Sequence, residues 1–232
     1  MTNMRHLLST VGVMALTGLA ACKDKVPDWG DGDKHASTMH GKVMCGYQGW
    51  FRTPGDGQNL RWKHYSNPKT GQFKPGHTGI EFWPDMSELG EHERFDTAFR
   101  YKDGKVAQVF SSAVRDTVVR HFKWMKDYGI DGVFVQRFAT EVTDNKGRSS
   151  GANARSVTQV LEHCREGAKL HGRTFAVMYD LTGMVARNIA AVKHDWRYLV
   201  MEKGLLKDPA YQRHGGRPVV AVWGVGFKNG RD

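Results

Sequence analysis

From Val114 onward the chain switches regularly between two hydrophobic periods, and that alternation leaves few folds open to it. Val114, Val118, Phe122, Met125 and Tyr128 recur at the spacing of one helix face, and Gly129 supplies the stop. Ile130 to Phe138 reads as a strand. Asn153 to His171 is a second helix, with Val157, Val160, Leu161, Cys164 and Ala168 turned inward and Gly172 ending it. Thr174 to Leu181 follows as a strand and Met184 to Lys193 as a helix. Asp195 is placed to cap a further helix through Lys203, and Pro218 to Val225 is the last strand. Strands alternating with amphipathic helices define a parallel sheet covered by helices, the α/β class.

The first hundred residues are less regular. Lys42 to Phe51 reads as a buried strand ending in a turn. Arg52 to Gly79, rich in Gly, Pro, Asn and Lys, is a long loop, and such loops in compact domains are usually functional. Gly79 to Pro84 is expected to form a second strand that Pro84 ends, Glu88 to Arg94 a charged surface segment, and Lys105 to Phe110 another short strand. An open doubly wound sheet would carry a Gly-rich phosphate turn. Gly224-Val225-Gly226 with Gly230 has the wrong spacing, and the chain reaches Asp232 before a helix can follow. A closed (β/α)8 barrel usually takes about 250 residues. Five or six barrel strands are legible, so the expected fold is a (β/α)8 TIM-barrel type, present in part.

Residues 1–22 read as a targeting segment. Arg5 and His6 give a positive start, and Leu7 to Gly18 is apolar but too short for a stable transmembrane anchor. Leu19-Ala20-Ala21-Cys22 has the order of a lipobox, with Cys22 as the lipidated residue. Residues 23–39 form a polar, Gly- and Asp-containing tether, and 40–232 the domain. The expected location is the bacterial cell envelope, lipid-anchored at the periplasmic face of the outer membrane or at the cell surface.

The formal charge is 34 − 24 = +10, but Lys and Arg are scattered without a run of five. Nucleic acid is therefore not an expected partner, and attraction to an anionic envelope is. Cys45 and Cys164 read as buried free thiols, with an inter-element disulfide as the alternative in an oxidising compartment. With no Cys-x-x-Cys, no His-Glu-x-x-His and no metal-like histidine spacing, neither a metal nor another cofactor is expected.

Barrel enzymes build their sites at the C-terminal ends of strands. That rule selects Tyr47, Gln48 and Trp50, then Trp83 and Asp85, then Gln136 and Arg137, then Tyr179 and Asp180, and finally Trp223. Aromatic rings stack on the C–H faces of sugars, and amide, guanidinium and carboxylate groups pair with their hydroxyls. Such a set suits an oligosaccharide or polysaccharide. Gln136 and Arg137 are adjacent, so at most one faces a pocket, and an outward ion pair is the alternative for Arg137. Tyr179 and Asp180 are related in the same way. Trp50 and Trp83 have loop packing as their alternative. Asp180 is the candidate catalytic acid, with capping of the turn at Thr182-Gly183 as its other reading. Glycoside hydrolysis needs two carboxyl groups, and Asp85 and Glu141 are candidate seconds in loops.

Several segments together carry a resemblance. Lys42-Val43-Met44-Cys45-Gly46-Tyr47-Gln48-Gly49-Trp50-Phe51, Phe82-Trp83-Pro84-Asp85-Met86 and Arg120-His121-Phe122-Lys123-Trp124-Met125 look like bacterial proteins of the glycoside hydrolase 71/99-like group. So do Gly129 to Phe138 and Ala176-Val177-Met178-Tyr179-Asp180-Leu181, in the same order along the chain. Some members are labelled xylosidase/arabinosidase, and relatives include family 99 endo-α-mannosidases and family 71 α-1,3-glucanases. The resemblance implies a (β/α)8 barrel acting on glycans, with catalytic carboxylates on a late strand in a motif of two acids three residues apart. This sequence has no counterpart of that motif. The carry-over reaches Tyr47, Trp50, Gln136, Tyr179 and Asp180 as pocket-lining positions. The expectation is an exported lipoprotein of glycoside hydrolase type that hydrolyses O-glycosidic bonds. The alternatives are a carbohydrate-binding lipoprotein without catalysis, or an inactive truncated fragment.

Overall fold

The structure is a computed structural model and describes residues 34–142, 151–184 and 189–225. Cys22 and most of the expected tether lie outside the described residues. In chain order the main elements are β1 (Met44–Tyr47), β2 (Phe95–Arg100), β3 (Val106–Val109), α1 (Arg115–Asp127), β4 (Gly132–Phe138), α2 (Ala139–Val142), α3 (Ala152–His171), β5 (Thr174–Asp180), α4 (Ile189–Met201), β6 (Arg213–His214), β7 (Arg217–Pro218) and β8 (Val220–Trp223). Strands β1, β4, β5 and β8 lie side by side in that order, all parallel, and helices connect the later ones. The class is α/β, as the alternating periods require.

Register divides this sheet into two unlike faces. Gln136 pairs with Met178, Arg137 with Tyr179, and Phe138 with Asp180. Side chains alternate along a strand, so Tyr47, Val133, Val135, Arg137, Val177 and Tyr179 share one face. That face is sealed by Val118 and Phe122 of α1 and Val160, Leu161, Cys164 and Ala168 of α3, which form one core with it. Helices α1 and α3 approach closely because Gly167 has no side chain: a Cβ there would stand 2.7 Å from Phe122 Cδ2. The opposite face carries Gly46, Phe134, Gln136, Met178 and Trp223, all partly or fully open to solvent.

Four expectations change. Among the described residues the parallel sheet has four strands, not five or six. Gly79–Pro84 forms no strand; Phe82 is 86% exposed and Trp83 packs into a separate cluster. Lys105–Phe110 does contain a strand, β3, but it pairs antiparallel with β2 outside the main sheet. Asp195 lies within α4 rather than capping a helix after it.

The segment Glu88–Arg94 also differs from its reading as charged surface. Glu93 is 0% exposed. Its carboxylate accepts hydrogen bonds from the Gly90 backbone, Thr117 Oγ1 and Arg120 Nη2 at 2.7, 2.9 and 2.6 Å. Burial raises its pKa, but these donors outweigh burial and hold it below the usual glutamate value. At the other end of the sheet, buried Gln212 donates to the carbonyls of Ala36 and Thr38 and accepts from Thr174 Oγ1, which ties the start of the described chain beneath β5.

Candidate functional site

The C-terminal ends of β4, β5 and β8 bring Gln136, Phe138, Asp180 and Trp223 onto the open face. Asp180 is 3% exposed. Its Oδ2 accepts from Gln136 Nε2 at 2.5 Å, and its Oδ1 accepts from the Thr182 backbone N–H at 2.8 Å. The turn-capping alternative for Asp180 is thus realised together with a place on the open face. Trp223, 47% exposed, is the register partner of Asp180 across β5 and β8. A fixed carboxylate beside an exposed indole offers an acceptor for hydroxyls and an apolar plate.

A second group flanks this one. Trp50 stacks on Phe138 and on His64, each with ring centroids 4.7 Å apart. Beyond Trp50 lies a narrow crevice too tight to admit a water molecule, lined also by Arg52, Leu60, Lys63, Glu141, Asn153 and Ser156. Lys63 Nζ donates to Glu141 Oε1 at 2.8 Å and to Asn153 Oδ1 at 2.9 Å. Glu141 is the third residue of the four-residue α2, three residues beyond Phe138. Arg52, Lys63 and Asn153 were not singled out from sequence. The available signal was one basic residue directly after Trp50-Phe51, in a loop long enough to fold over the strand ends.

Three expected site residues sit on the helix-covered face instead. The Tyr47 hydroxyl is 2.9 Å from His121 Nδ1. Arg137 is fully buried and donates to both carboxylate oxygens of Asp195, at 3.1 Å from Nε and 2.7 Å from Nη2. Tyr179 donates its hydroxyl to Asp195 Oδ2 at 2.5 Å. The ion pair expected to point Arg137 outward therefore forms inside, against α4. Burial, with the Asp195 charge next to it, pushes the Tyr179 phenol well above its ordinary pKa, so it is a donor throughout the physiological range. Arg137 Nη1 has no partner among the described residues.

Trp83 lies away from the strand ends. Its indole donates to the Gln108 carbonyl at 2.8 Å and its ring packs with Phe73, Phe99 and Tyr101. Asp85 is exposed and accepts from the Ser87 backbone two residues on. Cys45 and Cys164 are both free thiols, and no cluster of three metal-ligating side chains occurs among the described residues. No described helix is long and apolar enough to cross a membrane.

Comparison with known proteins yields no matching protein-family model and no matching curated protein. Solved structures do match. A GH99 endo-alpha-mannosidase from Bacteroides thetaiotaomicron in complex with Bis-Tris propane is 16% identical, with a TM-score of 0.45, over 77% of this chain and 41% of that one. A second structure, of the GH99 endo-alpha-mannosidase from the same organism, is 18% identical, with a TM-score of 0.42, over 77% and 44%. The chain spans less than half the length of these two proteins.

Proposed function

We propose that this chain is a glycan-processing protein of glycoside hydrolase type, with a barrel-type parallel sheet that takes an oligosaccharide or polysaccharide at its strand ends. One observation carries the reading: Asp180 is held by Gln136 and Thr182 on the open face, beside the exposed ring of Trp223. A carboxylate this buried is costly unless its acceptors are used, and Gln136 and Thr182 use them at the strand ends. The flanking Trp50–Phe138 stack extends the apolar surface that a sugar ring needs. Asp180 serves as the polar anchor and, in a hydrolytic reaction, as one of the two carboxyl groups required.

Calorimetry against a panel of oligosaccharides tests the site, with Asp180→Asn expected to weaken binding at least tenfold. Absence of binding across the panel sinks the reading. A second reading, binding without cleavage, is favoured by one fact: Asp180 is the sole acidic residue that the four parallel strands place on the open face among the described residues. Release of reducing ends from a bound oligosaccharide separates the two. Export and anchoring through Cys22 belong to the same proposal, and mass spectrometry of the mature chain and a Cys22→Ser variant tests them.

A further inference from the structure

The loop over the strand ends carries a run of strained backbone that finishes at a histidine. Asn59, Arg61 and His64 all have positive φ, at 54, 58 and 61°. Residues with a side chain seldom adopt this left-handed region, and they persist there where the surrounding structure enforces it. The enforcement is visible on both sides of His64. Lys63 exchanges backbone hydrogen bonds with Arg52, at 3.1 and 3.3 Å. Tyr65 is buried, and its hydroxyl donates to the Phe110 carbonyl at 2.8 Å. Between these two fastenings His64 is exposed, and it stands outside the crevice that Arg52 and Lys63 line.

The His64 ring is docked all the same. Its centroid lies 4.7 Å from that of Trp50 and 6.0 Å from that of Phe138, with interplanar angles of 20 and 4°. Phe138 is also 4.7 Å from Trp50. Two rings on opposite faces of a third stand about 7 Å apart, twice the carbon contact distance. At 6.0 Å and nearly parallel, His64 and Phe138 lie instead side by side on one face of Trp50. Neither nitrogen of the His64 ring has a hydrogen-bond partner among the described residues. Partial burial against these neighbours lowers its pKa; Glu141 opposes that shift, and Lys63 and Arg52 add to it. At neutral pH the imidazole is uncharged, with one nitrogen a donor and the other an acceptor.

Position links this pair of rings to the strand-end site. Phe138 is the register partner of Asp180 on the neighbouring strand, about 4.8 Å away. Two coplanar rings give an apolar plate, and the imidazole edge adds a donor and an acceptor beside it. That combination matches a sugar ring, which has an apolar C–H face and a rim of hydroxyls. We infer that His64 is a glycan-binding residue: with Phe138 it stacks on a sugar unit next to the one at Asp180 and Trp223, and its ring nitrogens bond that unit's hydroxyls. The ligand is then an uncharged stretch of at least two sugar units. The inference rests on the glycan reading of the strand ends and adds a second sugar position to it.

The test uses the full chain and calorimetry with xylohexaose, maltohexaose and an α-linked mannohexaose. Two variants separate the parts of the role. His64→Phe keeps the plate and removes the nitrogens. His64→Asn removes the plate and keeps a side chain that tolerates left-handed backbone. His64 is exposed, so both should melt near the parent. His64→Phe is expected to bind the tightest-binding hexasaccharide about fivefold more weakly, the worth of one hydrogen bond, and His64→Asn more weakly still. In the parent, the His64 imidazole NMR signals, assigned by their loss in His64→Asn, should shift on saturation with the same sugar. Affinity unchanged in both variants, or imidazole signals that do not move, overturns the role of His64 and leaves the glycan reading standing. No binding of any hexasaccharide to the parent removes both.

Discussion

The side-chain amide of Gln136 donates to the carboxylate of Asp180 across two neighbouring parallel strands, while the residues next to them, Arg137 and Tyr179, both reach Asp195 on the far side of the sheet. Each strand end therefore serves two purposes at consecutive positions. The front pair faces the open surface and the back pair fastens the strands to α4.

Replacing Gln136 by Leu leaves Oδ2 of the buried Asp180 carboxylate without its donor. A loss of about 1–3 kcal/mol in unfolding free energy is expected. Urea denaturation measures it, and a midpoint unchanged from the parent would show that solvent already satisfies that oxygen.

Asp195→Ala is expected to be more damaging, by about 3–5 kcal/mol, because it strands the buried Arg137 charge. Tyr179→Phe removes one bond to an ionised acceptor and should cost about 1.5–3 kcal/mol. The double variant Arg137→Met with Asp195→Leu should be less destabilised than Asp195→Ala alone. Denaturation of the three proteins in parallel checks that ordering.

Stability is expected to fall as the pH drops below about 6.5. Burial pushes His121 down to about 4 from its ordinary 6.5, so the folded protein keeps it neutral while the unfolded chain protonates. Its contribution is intact above pH 6.5, declines as pH falls, and is lost by about pH 4, on the order of 3 kcal/mol in all. Glu93, whose pKa is lowered, adds a further loss below the ordinary glutamate range. Melting of the parent and of His121→Gln across this window should show the variant with the shallower slope; equal slopes would assign the effect to other groups.

Gly167→Ala puts a methyl group 2.7–2.8 Å from Phe122 Cδ2 and Cγ in the contact between α1 and α3. The gain in helix propensity is outweighed by overpacking, and a destabilisation of about 1–3 kcal/mol is expected. Calorimetric unfolding decides the sign. An increase in melting temperature would mean that the Phe122 ring can yield.

Helices α1 and α3 and strands β4 and β5 were legible because their signals are local. Gly172, in the left-handed conformation at φ 60°, closes α3 where the sequence placed its end. Long-range partners were not legible. Glu93 reads as surface because its donors Thr117 and Arg120 lie on a helix more than twenty residues later. Asp195 resembles a cap until Arg137 and Tyr179 are brought against it from two strands. Alternation predicted that Gln136 and Arg137 would part company, but which of them met the helices depended on β1 pairing with β4 and β5 in this register. In β2, Phe95, Thr97 and Phe99 alternate inward, whereas Gly79–Pro84, expected as a strand, forms none.

Open-face and anchoring side chains occupy alternate positions of the same short strands. Deleting one residue early in β4 would turn the Arg137 guanidinium to the open face and send the Gln136 amide against α4, changing both faces at once. A change of strand length by a single residue is therefore costlier here than any one side-chain exchange, because it moves every side chain beyond it to the other face.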